Sequence, residues 1–399
     1  MRRARPPLTA PLYLAFAAVA LLSGLAGCRK AKATATPGAE VTIPTARAAY
    51  VTNNGSDSVS VLDRDGTAVT TVAVDVDPEE KEAPHHLAVD PAAGFAFVAL
   101  SYPAPPKKKK NDPHGSHGNA ESHGQLARLD LGRLAVRELR ELDHNPGDIL
   151  LTHDRKRVLV THFDMRRAMA VAARGGTTGT MFATLQVWDA ATLTLVGSRP
   201  VCVAPHGTLT TADDRLALVA CYGSDELALV DLTNPELPTA RFPLGASQGV
   251  PGAPTYGPYS VALAPDGRRV VVASLEASDL RVFDLETRRF LPERTVFLRA
   301  RAFFPDFVDE ARVLVPTQGP DGLVRVNIDT GAVEARAPWG AEECRAPHAA
   351  RRARDGRVYV VCEGDHVGPG RVLEVDPNTL GIVKSWTVGV YPDGIDFGG

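Results

Sequence analysis

Apolar and polar positions alternate along most of this chain in short runs, and the runs recur on one plan. An apolar run closes on aspartate at VSVLD (Asp63), ARLD (Asp130), QVWD (Asp189), ALVD (Asp231), RVFD (Asp284), VNID (Asp329) and LEVD (Asp376). Between these landmarks a proline precedes another alternating stretch, at Pro84, Pro146, Pro205, Pro258, Pro305, Pro347 and Pro392. A tight-turn sequence such as Pro265-Asp266-Gly267-Arg268 follows, and then a β-branched run such as VVVAS. Alternation of period two marks strands, and β-branched side chains fit a pleated, half-buried surface. Each repeat of about 45 residues therefore predicts four antiparallel strands, the content of one propeller blade.

The two sets of landmarks predict an all-β fold over residues 47–399, a seven-bladed β-propeller of four-stranded antiparallel blades. The chain enters on what reads as the second strand of a blade (47–63) and ends on an unaccompanied first strand around Pro392. The C-terminal strand is expected to join the N-terminal blade, which closes the ring and removes open sheet edges.

Ahead of the repeats stand Arg2, Arg3 and Arg5, then an apolar stretch from Leu12 to Leu22 that is short for a membrane span. Leu25-Ala26-Gly27-Cys28 resembles the lipobox of bacterial lipoproteins. That resemblance implies that residues 1–27 are a signal peptide, that Cys28 carries acyl chains, and that the protein is held in a bacterial cell envelope by its N-terminal lipid. Arg29 follows the cysteine where an acidic retention signal would stand, so the outer membrane, on its periplasmic or surface face, is preferred over the inner. Residues 28–46 are small, polar and proline-containing, the composition of a flexible tether. Three of the 44 basic residues lie in the signal and none of the 47 acidic ones, so the remainder is net acidic and does not favour nucleic acid.

Ala49-Tyr50-Val51-Thr52-Asn53-Asn54, with Ser56-Asp57-Ser58-Val59-Ser60-Val61, resembles the signature of YVTN-repeat β-propellers. The resemblance implies a fold and little about activity, because that family spans binding proteins, scaffolds and relatives of lactonases. Metal-dependent lactonases of this kind need Glu, Asn and Asp converging in the channel, and only Asp306 and Asp393 stand at channel positions of the repeat.

Of five cysteines, Cys28 belongs to the lipobox; Cys202 and Cys344 each precede a repeat proline by three residues, and Cys221 and Cys362 each end a second strand. An exported protein meets an oxidising compartment, so Cys202–Cys221 and Cys344–Cys362 are the expected disulfides, with metal ligation alongside His206 and His348 as the alternative. No C-x-x-C-H occurs, which argues against covalent c-type haem.

Mapped onto the repeat, ten of eleven histidines fall on the loop face where first strands begin and second strands end; His153 falls on the other. The residues after the repeat prolines, His85, Gly147, His206, Tyr259, Asp306, His348 and Asp393, should ring the channel mouth, with His86 beside the first. A ligand-binding site is expected there. Two insertions share the face: residues 102–125, with His114, His117 and His123, and residues 163–185, with Met165, Met169 and Met181. Imidazole and thioether together suit copper or another transition metal, giving His85, His86, His162, His206, His348, Met165 and Met169 as candidate ligands. The methionines read equally as adaptable apolar filling. In its outline the histidine arrangement resembles seven-bladed nitrous oxide reductase, although His85-His86 is the only pair. The first expectation is thus a non-enzymatic module that binds a ligand or a periplasmic or surface protein partner. A metal-binding or redox protein comes second and a lactonase-like hydrolase third. No phosphate loop of the G-x-x-x-x-G-K-[ST] kind is present.

Overall fold

The computed structural model describes residues 43–77, 79–103, 120–246, 248–250 and 252–399. Cys28 with the signal and most of the tether, and His114 and His117, lie outside the described residues. The strands form seven antiparallel sheets of four or five strands each, the blades of a propeller. Blade one combines Pro392–Phe397 with Ala48–Asn53, Ser58–Asp63 and Val69–Ala73, in the register Ala49↔Phe397, Tyr50↔Asp396 and Val51↔Ile395. The ring thus closes as the repeat predicts. The folded body includes Ile43, four residues ahead of the expected boundary, which packs on the core between blades one and two.

Blades two to seven open on Pro84–Asp90, Pro146–Leu151, Pro205–Thr210, Pro258–Leu263, Arg301–Ala302 and Pro347–Arg352. The core lies between neighbouring blades: Leu218, Leu229 and Leu244 of blade four pack on Val261, Val272 and Phe283 of blade five. Each such side chain contributes about 1.5–3 kcal/mol when fully buried. The outermost strand of blade six, Ala332–Pro338, alternates between exposed and half-buried positions, as an edge facing water should.

The repeated aspartate has a local cause. Its carboxylate accepts backbone N–H groups of the turn to the outer strand, as Asp130 does from Gly132 and Arg133 (3.0 and 2.8 Å) and Asp376 from Asn378 and Thr379 (both 2.8 Å). In blade six the landmark shifts by two residues, because Asn327 performs this role on Asp329 and Thr330 (3.0 and 3.1 Å).

The repeated proline follows a residue with positive φ: Ala83, Asn145, Ala204, Gly257, Ala346 and Tyr391. That bend turns the chain into the channel. Phe304, before Pro305, lacks it, and pairing explains why. Ala302 faces Thr317 as Pro258 faces Ser274, and Asp306 faces Leu314 as Ala262 faces Val271. Pro305 is therefore not the repeat proline of blade six. Phe303 occupies the position expected of Asp306, which lies three residues further down the channel.

Asp306 has a different task there. Its Oδ1 accepts Phe307 N–H at 2.8 Å and its Oδ2 accepts Arg352 N–H of blade seven at 2.7 Å. Asp396 does the same from blade one to Val89 of blade two (2.8 and 2.7 Å), and Asp148 from blade three to Thr208 of blade four (2.9 and 2.8 Å). These are clasps between blades. The disulfides Cys202–Cys221 and Cys344–Cys362 form with Cα atoms 5.8 and 5.2 Å apart: the first ties the end of the outer strand of blade three to the second strand of blade four, and the second ties the connection entering blade seven to the second strand of that blade.

Replacing Asp306 or Asp396 with Ala should strand two backbone donors and cost about 1–3 kcal/mol. A lowered urea midpoint at unchanged slope checks this, and an unchanged midpoint in both variants would remove the clasp role.

Candidate functional site

The first residues of the inner strands form two tiers around the channel. By pairing register the upper tier is His85, Gly147, His206, Tyr259, Phe303, His348 and Asp393; the lower tier adds His86, Asp148 and Phe304. Hydroxyls from neighbouring blades hold this backbone: Thr52 Oγ1 donates to the His85 carbonyl and Thr161 Oγ1 to that of His206, both at 2.6 Å. Gly394 permits the tight fit, since a Cβ there would meet His86 Cα at 3.0 Å.

Asp393, with 0 % exposure, is the hub. Its Oδ2 pairs with His85 Nδ1, its Oδ1 lies 2.6 Å from His348 Nδ1, and the same Oδ1 lies 3.7 Å from His86 Nε2. His86 Nδ1 pairs with Asp148 Oδ1 at 2.6 Å, and His206 Nδ1 donates to the Tyr259 carbonyl at 3.2 Å. The buried Glu363 adds a carboxylate, 3.7 Å from His348 Nδ1 and 2.7 Å from His366 Nε2. Ring centres are 4.3 Å apart for His85 and His86, 5.7 Å for His85 and His206, and 5.9 Å for His86 and His348. Aromatic walls complete the site: Tyr259 stacks on His206 at 3.9 Å and Phe304 meets His86 edge-on at 4.9 Å.

Burial and pairing oppose each other here. Burial pushes His85 below its ordinary value against the pull of Asp393. Burial also acts to lower His86, but Asp148 and Asp393 outweigh it and hold that imidazole at about 9. Burial would raise Asp393, yet His85 and His348 keep its carboxyl well below the usual range. Two groups of ligand atoms lie within 4.8 Å of one another, His85 with His86 and Asp393, and His348 with Glu363 and Asp393. Either could hold a metal ion.

His162 is brought elsewhere. It is buried at the end of its strand, Nδ1 against the His144 carbonyl and Nε2 beside the Gln186 amide (both 3.2 Å), and burial lowers it to about 4. Met165 and Met169 sit on the helix Met165–Ala173, capped by Asp164, which accepts Arg167 N–H at 3.1 Å. Met165 and the buried Met181 pack with Phe163, Val203 and Ala204, whereas Met169 is 49 % exposed. The insertion supplies apolar cover: Phe163 stands edge-on to His206 at 4.9 Å. His123 and His144 have ring centres 4.1 Å apart, tilted at 47° to each other.

The cluster meets a cavity on the far side instead. A cavity of about 400 Å³ is lined by His86 and Asp148 at its inner end and by turn residues such as His153, Arg155 and Arg354 at its outer end. Sequence reasoning missed Asp148 and Glu363. Asp148 follows Gly147, and a His-His pair at the equivalent place in blade two was the available signal; Glu363, directly after Cys362, carried none.

No family model and no curated protein matches the chain. Solved structures do. Hydrazine synthase of Kuenenia stuttgartiensis is 15 % identical over 80 % of this chain and 90 % of that one, with a TM-score of 0.59. The dihydro-haem d1 dehydrogenase NirN, in complex with DHE, is 15 % identical over 92 % and 78 %, with a TM-score of 0.53. A candidate 6-phosphogluconolactonase from Bacteroides fragilis is 12 % identical over 90 % and 99 %, with a TM-score of 0.61. At such identity these likenesses establish the seven-bladed propeller and not its chemistry.

Proposed function

We propose that this protein is a lipid-anchored, extracytoplasmic propeller of YVTN-repeat kinship that binds a divalent transition metal in its channel through His85, His86, His206, His348 and Asp393. One observation carries the reading: the Nδ1 of all four imidazoles is engaged by a carboxylate or carbonyl oxygen. This is the outer-shell arrangement that orients metal-binding histidines, because it sets the tautomer and makes Nε2 the coordinating atom. Two imidazoles sharing one tetrahedral ion at 2.0–2.1 Å have ring centres about 5 Å apart. The observed 5.7 and 5.9 Å approach that spacing. Nitrogen-rich donors with a carboxylate suit zinc, copper, nickel or iron. The case for copper that rested on Met165 and Met169 loses its support, since Met165 packs within the insertion and Met169 is half exposed on its helix. A binding role needs nothing further, whereas a lactonase-like hydrolysis loses Asp306 from its set.

Purified protein should retain about one metal ion per chain after mild dialysis, by elemental analysis. Asp148→Asn, which leaves His86 in place but alters its support, should weaken that affinity about 10- to 100-fold. A metal-free protein that takes up neither Zn(II) nor Cu(I) nor Cu(II) would exclude the reading.

Anchoring is supported by Leu25-Ala26-Gly27-Cys28 alone. Cys28→Ser should move the protein from the membrane to the soluble fraction of the expressing bacterium, and an unchanged distribution would argue against the lipid.

A further inference from the structure

The far side of the channel carries a cation, Arg351, that makes no direct ion pair among the described residues. Two adjoining cavities, of about 400 and 390 Å³, share Leu150, His153, Thr208 and Arg351. Each has the capacity of a small-molecule site. Arg351 is half-buried on the inner strand of blade seven, with its guanidinium 5.2 Å from the centre of the Phe304 ring. Its Nη1 donates to the Ala350 carbonyl at 3.0 Å, and among the described residues it makes no ion pair.

The neighbouring charges are committed elsewhere. Asp306 and Asp396, whose carboxyls feel Arg351, each accept two backbone N–H groups. Asp148 is paired with His86, Arg155 with Asp90 at 2.9 Å, and His153 with Asp214 at 2.9 Å. Arg352 and Arg354 stand at the outer end of the same cavity, exposed and, among the described residues, without a salt bridge. A partly desolvated guanidinium that keeps most of its N–H fork is costly alone and favourable beside an anion.

We propose that this channel binds a small organic anion, its carboxylate or phosphate group held by Arg351 while Arg352 and Arg354 draw it in from the mouth. The walls formed by Leu87, Val89, Ile149 and Leu150 would receive the carbon body. The field at the mouth favours entry of negative charge, in a way that salt weakens. The inference stands on the channel and does not require a metal among the imidazoles.

Titration calorimetry with succinate and with inorganic phosphate, at low ionic strength, tests it on the protein as purified and after chelator treatment. At least one probe should bind with one-to-one stoichiometry, and which one binds tells a carboxylate ligand from a phosphate. Arg351→Gln should weaken binding about 10- to 100-fold, and Arg351→Lys, which keeps the charge but not the fork, should fall between. Chelation should leave the anion affinity unchanged even where it removes a metal. Absence of binding by either probe at about 10 mM overturns the proposal. So does equal binding by Arg351→Gln, or loss of binding on chelation, which would place the anion on a metal. Should Arg351→Gln melt early, the exposed pair decides: Arg352→Gln with Arg354→Gln should weaken binding at least about threefold, and an unchanged affinity overturns the proposal.

Discussion

Pairing between Ala48–Asn53 and Pro392–Phe397 joins the two ends of the described chain, and the site depends on it as much as the fold does. Without that pairing blade one lacks its inner strand, and Asp393 is absent from the centre of the channel. The carboxylate that bridges His85 and His348 thus reaches them only through contacts spanning nearly the whole propeller. Clasps of one kind reinforce the ring at blades one, three and six, where Asp396, Asp148 and Asp306 each bind the backbone of the following blade. Asp148 belongs both to a clasp and to His86, so the ring and the site share a residue.

Burying four imidazoles and three carboxylates together is expensive unless their charges are balanced. Here the balance is local. Asp393 and Asp148 face His85, His86 and His348, while Glu363 lies between His348 and His366. Such an arrangement exceeds what packing alone requires of an inner strand, which blade five achieves with Tyr259 and Ser260. Beyond the cluster the channel changes character, from paired histidines to arginines at the opposite mouth. The described loop histidines His123, His144 and His366 and the accessible cavity therefore lie on opposite sides of the cluster.

The blade frame was legible because its markers have local causes: an Asx turn needs its aspartate, and the bend into the channel recurs before the proline. Both disulfides followed from the frame, since equivalent positions in two blades place their cysteines side by side. Where another residue took over a marker's role, the reading slipped. Asn327 replaced an aspartate in blade six, and Ala302 stood where a proline was expected, so Asp306 was assigned three positions too high in the channel.

The sequence by itself determined the number of blades, the closure of the ring, the cysteine pairs and the gathering of His85, His86, His206, His348 and Asp393, because these depend on repeat position. Tertiary structure alone decided which charges meet. Asp148, Glu363 and Arg351 come to the channel from three different places in the chain, and His162, although on the expected loop face, turns into its own blade beside Gln186. The direction and partner of a side chain are set by packing across blades, and no local pattern encodes that.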